Sequence, residues 1–140
     1  SGLPDEISLE GLFTSWTLTN SSLSFVYPRI SSRVGQETLS FWLPGPKGFE
    51  KSKWGILEPV EEGGQEIPQN KLSGLLVPGL GFDEEGGRLG RGKAYYDRYL
   101  SLFSGIKVGV TFEELLQAKI PTEEHDVKMD FIVTEGRIIR

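Results

Sequence analysis

Cysteine is absent from the 140-residue chain, which removes disulfides, thiolate nucleophiles, zinc–thiolate sites and iron–sulfur clusters together and fits a reducing compartment. A single histidine excludes a multi-histidine metal centre. Positive charge is also short, with 15 Lys and Arg against 20 Asp and Glu for a net charge of −5. A general nucleic-acid or anionic-membrane binder needs a positive field over its whole contact surface, so this balance argues against both partners. No apolar run approaches the ~20 residues needed to cross a bilayer, and no basic-then-apolar start reads as a secretion signal. The expectation is a soluble, cytoplasmic protein.

What is present is the makings of one core. Hydrophobic residues make up 37% of the chain, including 3 Trp, 8 Phe and 4 Tyr, and a chain of this size buries roughly two-thirds of the surface its unfolded state exposes. The 18 glycines and 8 prolines are spread throughout, marking short elements and no linker, so residues 1–140 are expected to form a single domain. Ile7, Leu9, Leu12 and Phe13 after Asp5-Glu6 have helical spacing. Residues 23–27 read as a strand stopped by Pro28, and residues 38–43 as a second strand closed by Pro44-Gly45-Pro46. The polar stretch 61–70 reads as surface loop. Residues 72–77 form a compact apolar run, expected as a strand buried on both faces and ending at Pro78-Gly79.

The next segment, 80–93, reads as a long Gly-rich loop. Tyr95, Tyr96, Tyr99, Leu100, Leu102 and Phe103 then recur at helical spacing, predicting a helix over 93–103 ended by Gly105. Residues 106–112 read as a strand, 113–118 as a short helix, and 130–134 and 137–139 as closing strands around Glu135-Gly136. Alternating strands and helices imply an α/β fold: a three-layer, Rossmann-like open sheet, largely parallel and flanked by helices. In such sheets ligands gather at the carboxyl ends of strands, which is where the loop after Val77 falls.

That loop combines glycine and positive charge. Gly87-Arg-Leu-Gly90-Arg-Gly92-Lys93-Ala94 lets backbone N–H groups converge on an anion at a predicted helix start, with Arg88, Arg91 and Lys93 supplying full charges. The spacing nearly fits the G-x-x-x-x-G-K-[S/T] phosphate loop, but Ala94 lacks the hydroxyl that a P-loop NTPase uses for magnesium. Glycine turns beneath a solvated basic face would produce the same pattern. Tyr95-Tyr96-Asp97-Arg98 adds a stacking surface and a carboxylate, and the two adjacent tyrosines point about 100° apart on a helix, so one at most faces a ligand. The interleaved bases and aromatics also describe a single-stranded nucleic-acid site, which the net acidity disfavours.

Leu76-Val-Pro-Gly-Leu-Gly-Phe-Asp83, Gly87-Arg-Leu-Gly-Arg-Gly-Lys93 and Tyr95-Tyr-Asp-Arg-Tyr-Leu100 together closely resemble the signature of 5-formyltetrahydrofolate cyclo-ligases, also called methenyltetrahydrofolate synthetases. Further matches at Leu3-Pro-Asp-Glu-Ile7, Tyr27-Pro-Arg-Ile30, Trp54-Gly-Ile-Leu-Glu-Pro59, Ile120-Pro-Thr-Glu-Glu-His-Asp126, Met129-Asp130 and Ile132-Val-Thr-Glu135 extend the resemblance over nearly the whole chain. The resemblance implies ATP- and magnesium-dependent closure of 5-formyltetrahydrofolate to 5,10-methenyltetrahydrofolate, with release of ADP and phosphate. It implies that Arg88, Leu89, Gly90, Arg91, Gly92, Lys93, Ala94, Tyr95 and Tyr96 bind ATP, with Arg88, Arg91 and Lys93 assisting the chemistry. By the same resemblance Arg91, Gly92, Lys93, Ala94 and Tyr95, together with Glu6 and Trp54, meet the folate, and Asp97 and Asp126 hold Mg2+. For Glu6 the residues themselves equally describe an acid near a helix N-terminus. Arg29 and Glu58 match family positions and serve equally well as structural ion partners, and His125 reads as local support. The implied partners are 5-formyltetrahydrofolate and ATP, with a monomer or weak homodimer as the assembly and no nucleic-acid or membrane partner.

Three departures from the family pattern stand out. Family members usually carry glycine where this chain has Ala94, so a positive φ there would meet a methyl group. Where the family tends to place glutamine after the strand, Glu113-Glu114 stand, and an ionised carboxylate cannot donate a hydrogen bond. The family's N-terminal basic helix and first strand precede the point at which this chain starts. The alternative function is a non-catalytic relative that binds folate or nucleotide.

Overall fold

The computed structural model of the chain describes residues 14–15, 18–19, 22–33, 35–90, 92, 94–124 and 126–140. The helix expected over 5–13 lies outside them, as do Trp16 and His125. The chain divides into two compact units, and in the described residues the boundary falls between Gln69 and Asn70.

The first unit is antiparallel. Strands β1 (Tyr27–Arg33) and β2 (Gln36–Leu43) pair in register from Tyr27↔Trp42 to Arg33↔Gln36, and β5 (Gln65–Ile67) lies on the other side of β2. A hairpin of β3 (Phe49–Lys51) and β4 (Leu57–Pro59) completes it. Pro28 was expected to stop a strand and instead sits second in one. The reason is that β1 is the edge of its sheet, where a residue without an N–H breaks no ladder. The stretch 61–70, expected as loop, supplies β5. Its short strand Gln65-Glu66-Ile67 carries polar side chains because two of its three residues are exposed, so composition alone hides the pairing. Leu39, Ser40, Phe41 and Trp42 are all buried in the central strand, and the Trp42 indole N–H donates to Ser40 Oγ at 2.9 Å. Beneath them Arg29 donates to Glu50 Oε1 at 2.9 Å and to the Pro59 carbonyl at 2.8 Å, while buried Glu58 accepts the Ile30 N–H at 3.1 Å. Both residues therefore tie β1 to the β3–β4 hairpin.

The second unit, 70–140, carries the parallel pairing. Its four-stranded sheet runs β12 (Ile138–Ile139), β11 (Phe131–Val133), β9 (Ile106–Val110), β6 (Gly74–Val77); β6, β9 and β11 are parallel and β12 is antiparallel. A second, three-stranded sheet orders β10 (Leu116–Gln117), β7 (Gly81–Asp83) and β8 (Arg88–Leu89), with β7 parallel to β10 and antiparallel to β8. The sheets are thus mixed, and the expectation of a largely parallel sheet holds only for β6, β9, β11 and the short β7–β10 pair. Strands dominate. The helix spans Tyr95–Leu100, shorter at both ends than the expected 93–103, and residues 113–118 split into a 3-10 turn, Glu113–Leu115, followed by β10. No helix among the described residues is long and apolar enough to cross a membrane.

Phe82 organises this unit. Its ring is fully buried, and a Cβ on Gly109 would lie 2.4 Å from it, while one on Gly79 would lie 2.9 Å away. Glycine at these two positions lets the ring lie directly on strand β9 and on the turn after β6, at interior packing density. Among the described residues of the unit, Leu75, Val77, Leu100, Phe103, Ile120, Met129 and Ile132 are the other buried apolar side chains.

Candidate functional site

Residues 80–89 were expected as irregular loop, but they form a tight hairpin. Leu80 N–H donates to Leu89 O at 2.7 Å, Gly81 pairs with Leu89 and Phe82 with Arg88, and Asp83 N–H donates to Gly87 O at 3.1 Å. The glycines misled the sequence reading because they serve the turn and the packing of Phe82. Gly86 has φ +88°, and a Cβ there would lie 2.6 Å from the Met129 carbonyl oxygen. A conformation of this kind is open to glycine and strained for other residues.

This hairpin delivers Arg88 to the carboxyl end of β6. The Arg88 Nε donates to the Pro78 carbonyl at 2.6 Å, and one terminal nitrogen donates to Asp97 Oδ1 at 3.3 Å. Its guanidinium carbon lies 5.4 Å from the centre of the Tyr96 ring, a cation–π contact that adds to the ion pair. The Arg88 side chain is only 8% exposed, against 35% for Asp97. Burial pulls the guanidinium below its ordinary range, and the Asp97 charge opposes that. A Cβ on Gly90 would lie 3.0 Å from an Arg88 terminal nitrogen, so glycine there leaves room for the guanidinium.

Arg88, Gly90, Tyr96 and Asp97 are thus brought together as one cluster. Leu89 is half-exposed beside it. Gly92 takes φ +87°. Ala94 has φ 55°, ψ 18°, a left-handed conformation, and its carbonyl accepts the Arg98 N–H at 3.0 Å to open the helix. Tyr95 turns toward Arg98, whose guanidinium carbon is 5.5 Å from its ring centre, while Tyr96 turns to Arg88. This divergence of adjacent tyrosines is the one helical geometry requires. Arg91, Lys93 and Glu6 lie outside the described residues.

Asp126 Oδ2 accepts the Glu123 N–H at 2.7 Å, and the Asp126 N–H donates to Glu123 O at 3.0 Å, a closed turn. Among the described residues no group of three or more His, Cys, Asp or Glu side chains is arranged to hold a metal ion. In the first unit Trp54 is 40% exposed at the tip of the β3–β4 hairpin, with Lys53 Nζ 4.4 Å from its ring centre.

Glu113, where a substrate contact was in question, is engaged at the carboxyl ends of β9 and β11. Its carboxylate accepts from Thr134 Oγ1 at 2.7 Å and from Arg137 Nε at 2.8 Å. Those hydrogen bonds from Arg137 and Thr134 hold it below the usual carboxylate range, and Arg137 also reaches Glu84.

One residue escaped the sequence reading. Asp83 is 2% exposed, and its carboxylate accepts the N–H groups of Glu85 at 3.0 Å, Gly87 at 2.7 Å and Ile120 at 2.8 Å. Desolvation pushes its pKa up, but the three backbone bonds and the charge of Lys128 together outweigh this and leave it lowered. Asp83-Glu-Glu-Gly-Gly87 carries the sequence signal, an Asp followed by turn glycines; the third bond, to a residue 37 positions away, has no such signal.

A model of the 5-formyltetrahydrofolate cyclo-ligase family matches residues 4–135. The chain belongs to that family. Among curated cyclo-ligases, that of Mus musculus is 38% identical over 93 residues, covering 61% of this chain and 46% of its own length. That of Haemophilus influenzae is 32% identical over 129 residues, covering 89% and 67%. The NMR structure of Aquifex aeolicus 5,10-methenyltetrahydrofolate synthetase superposes with a TM-score of 0.79 at 31% identity, over 100% of this chain and 68% of that one. The chain therefore spans about half the length of the mouse relative. The Arg88 cluster lies within the segment matched to the family.

Proposed function

We propose that the protein closes 5-formyltetrahydrofolate to 5,10-methenyltetrahydrofolate at the expense of ATP, releasing ADP and phosphate. The observation that carries this reading is the Arg88 guanidinium, buried between the Pro78 carbonyl and Asp97 at the carboxyl end of a parallel strand in a cyclo-ligase chain. In the reaction the formyl oxygen attacks the γ-phosphorus and ADP leaves with the bridging oxygen. N10 then adds to the activated carbon and gives up its proton to phosphate or water, and loss of phosphate leaves the methenyl cation. No protein nucleophile is needed. Phosphoryl transfer of this kind depends on charge neutralisation and positioning.

Arg88, Arg91 and Lys93 are assigned to neutralise the triphosphate, with residues 88–96 as the ATP-binding stretch. Residues 91–95 together with Glu6 are assigned to the folate; Trp54, whose ring is exposed, joins them on resemblance. Asp97 and Asp126 fit Mg2+, because this ion takes one or two carboxylates and completes its shell with water and substrate phosphates. Asp97 keeps a partly exposed carboxylate beside its bond to Arg88. Bound magnesium would supply charge neutralisation on the nucleotide phosphates. The same reading treats residues 1–140 as one cyclo-ligase-like domain, since the family match runs through both compact units. It extends to a three-layer, helix-flanked sheet, a cytoplasmic location, a monomer or weak homodimer, and no membrane or nucleic-acid partner.

The test is the absorbance of the methenyl product on mixing purified protein with ATP, magnesium and 5-formyltetrahydrofolate. Turnover is expected to require all three, and its absence refutes the assignment. Ala94 favours a second reading, a non-catalytic folate or nucleotide binder, because its methyl occupies a left-handed position that glycine would leave open to a phosphate. That reading expects saturable binding by calorimetry with no product.

A further inference from the structure

The carboxylate of Asp83 does more than close its own turn. Two bonds to Oδ1, from Glu85 and Gly87, are enough for an Asx-type turn. The bond from Ile120 to Oδ2 is additional, and it fastens a distant segment to the hairpin. The far end of that segment is fastened too, because the Met129 N–H donates to Gly86 O at 2.8 Å. Residues 120–129, which include Asp126, are therefore held at both ends by the turn 83–87. On its other side this turn leads from Gly87 directly into Arg88, which holds Asp97. The seat is made for a carboxylate: a Cβ on Gly87 would lie 2.5 Å from Asp83 Oδ2, so only glycine leaves the acceptor in place.

We propose that Asp83 is a positioning residue that sets the Arg88–Asp97 cluster and the Asp126 segment in register for a magnesium–nucleotide. This rests on the proposed assignment of Asp97 and Asp126 to the metal. Supporting groups of this sort are worth on the order of ten-fold in metal affinity.

The discriminating variant is Asp83→Asn. Its amide oxygen still accepts from Glu85 and Gly87, but its NH2 faces the Ile120 N–H, so two donors meet. Amide exchange at Ile120 is expected to accelerate more than at Gly87. Calorimetry with a non-hydrolysable ATP analogue is expected to show the magnesium half-saturation raised on the order of ten-fold, with little change in 5-formyltetrahydrofolate binding in the absence of nucleotide. A folded Asp83→Asn with wild-type magnesium dependence and only a lowered urea midpoint makes Asp83 purely structural and overturns the proposal. A wild-type titration supplies the same test without a variant. Magnesium and the analogue are expected to shift the amide signals of Gly87 and Ile120 over one concentration range, and an Ile120 signal that stays put overturns the coupling. Wild-type protein that binds no magnesium–nucleotide overturns the site assignment itself, and the positioning role with it. Wild-type binding with an indistinguishable variant overturns the positioning role alone.

Discussion

Replacing Ala94 by glycine reverses the usual sign of an alanine-to-glycine change. In an ordinary right-handed position glycine is worse than alanine by roughly 0.5–1 kcal/mol, through the extra freedom of its unfolded chain. Ala94, however, holds φ 55°, ψ 18°, where an L-residue sets its Cβ against the following carbonyl at a cost of roughly 1–2 kcal/mol. The position is also the N-cap of the Tyr95–Leu100 helix with no side-chain cap bond, where glycine is preferred to alanine. Subtracting one range from the other leaves Ala94→Gly more stable by up to about 1.5 kcal/mol, a rise in Tm of up to about 5 °C for a domain of this size. Urea and thermal unfolding followed by circular dichroism measure this directly, and the denaturant slope should not change. A variant less stable than the parent would mean that residue 94 is not left-handed and that its methyl does not obstruct the nucleotide loop.

Arg88→Ala strands the Pro78 carbonyl and leaves the partly exposed Asp97 to water, so the loss should be about 1–3 kcal/mol by urea titration; a variant as stable as the parent would refute the contact. Asp83, with its carboxyl held below the ordinary carboxylate range, contributes stability that is fully present above the unfolded chain's pKa and lost as pH falls through the lower folded value. Urea midpoints taken from neutral pH down to about pH 2 should therefore fall on the acid side, and Asp83→Asn should flatten that limb; an unchanged acid limb would mean the carboxylate is not stabilised as described. Gly109→Ala drives a methyl into the Phe82 ring, where overpacking typically costs about 1–3 kcal/mol, and the midpoint should rise again when Phe82→Leu is added in the same chain.

Local chemistry accounts for much that could be read from the residues alone. The apolar run before Pro78-Gly79 became β6, the tyrosine spacing became a helix, and the pair of strands around Glu135-Gly136 became β11 and β12, because each depends on neighbours within a few positions. The family resemblance was legible for a related reason: its motifs lie in short ordered blocks. Long-range pairing was not legible. Pro28 could enter β1 because no strand among the described residues pairs on its open edge, and the polar 65–67 became a strand because β2 offered an edge.

The glycines show the same division. From the chain alone 80–93 read as one irregular loop, with Gly87, Gly90 and Gly92 as the phosphate-cradling stretch. Folded, Gly79 and Gly109 make room for Phe82, Gly86 and Gly87 make a turn around Asp83, and Gly90 gives way to Arg88. Residue types dictated that charge, glycine and aromatic rings would meet near residue 90. Tertiary structure decided which of them became buried supports, because a carboxylate such as Asp83 finds its third donor in Ile120, far along the chain, only once the core between them has closed.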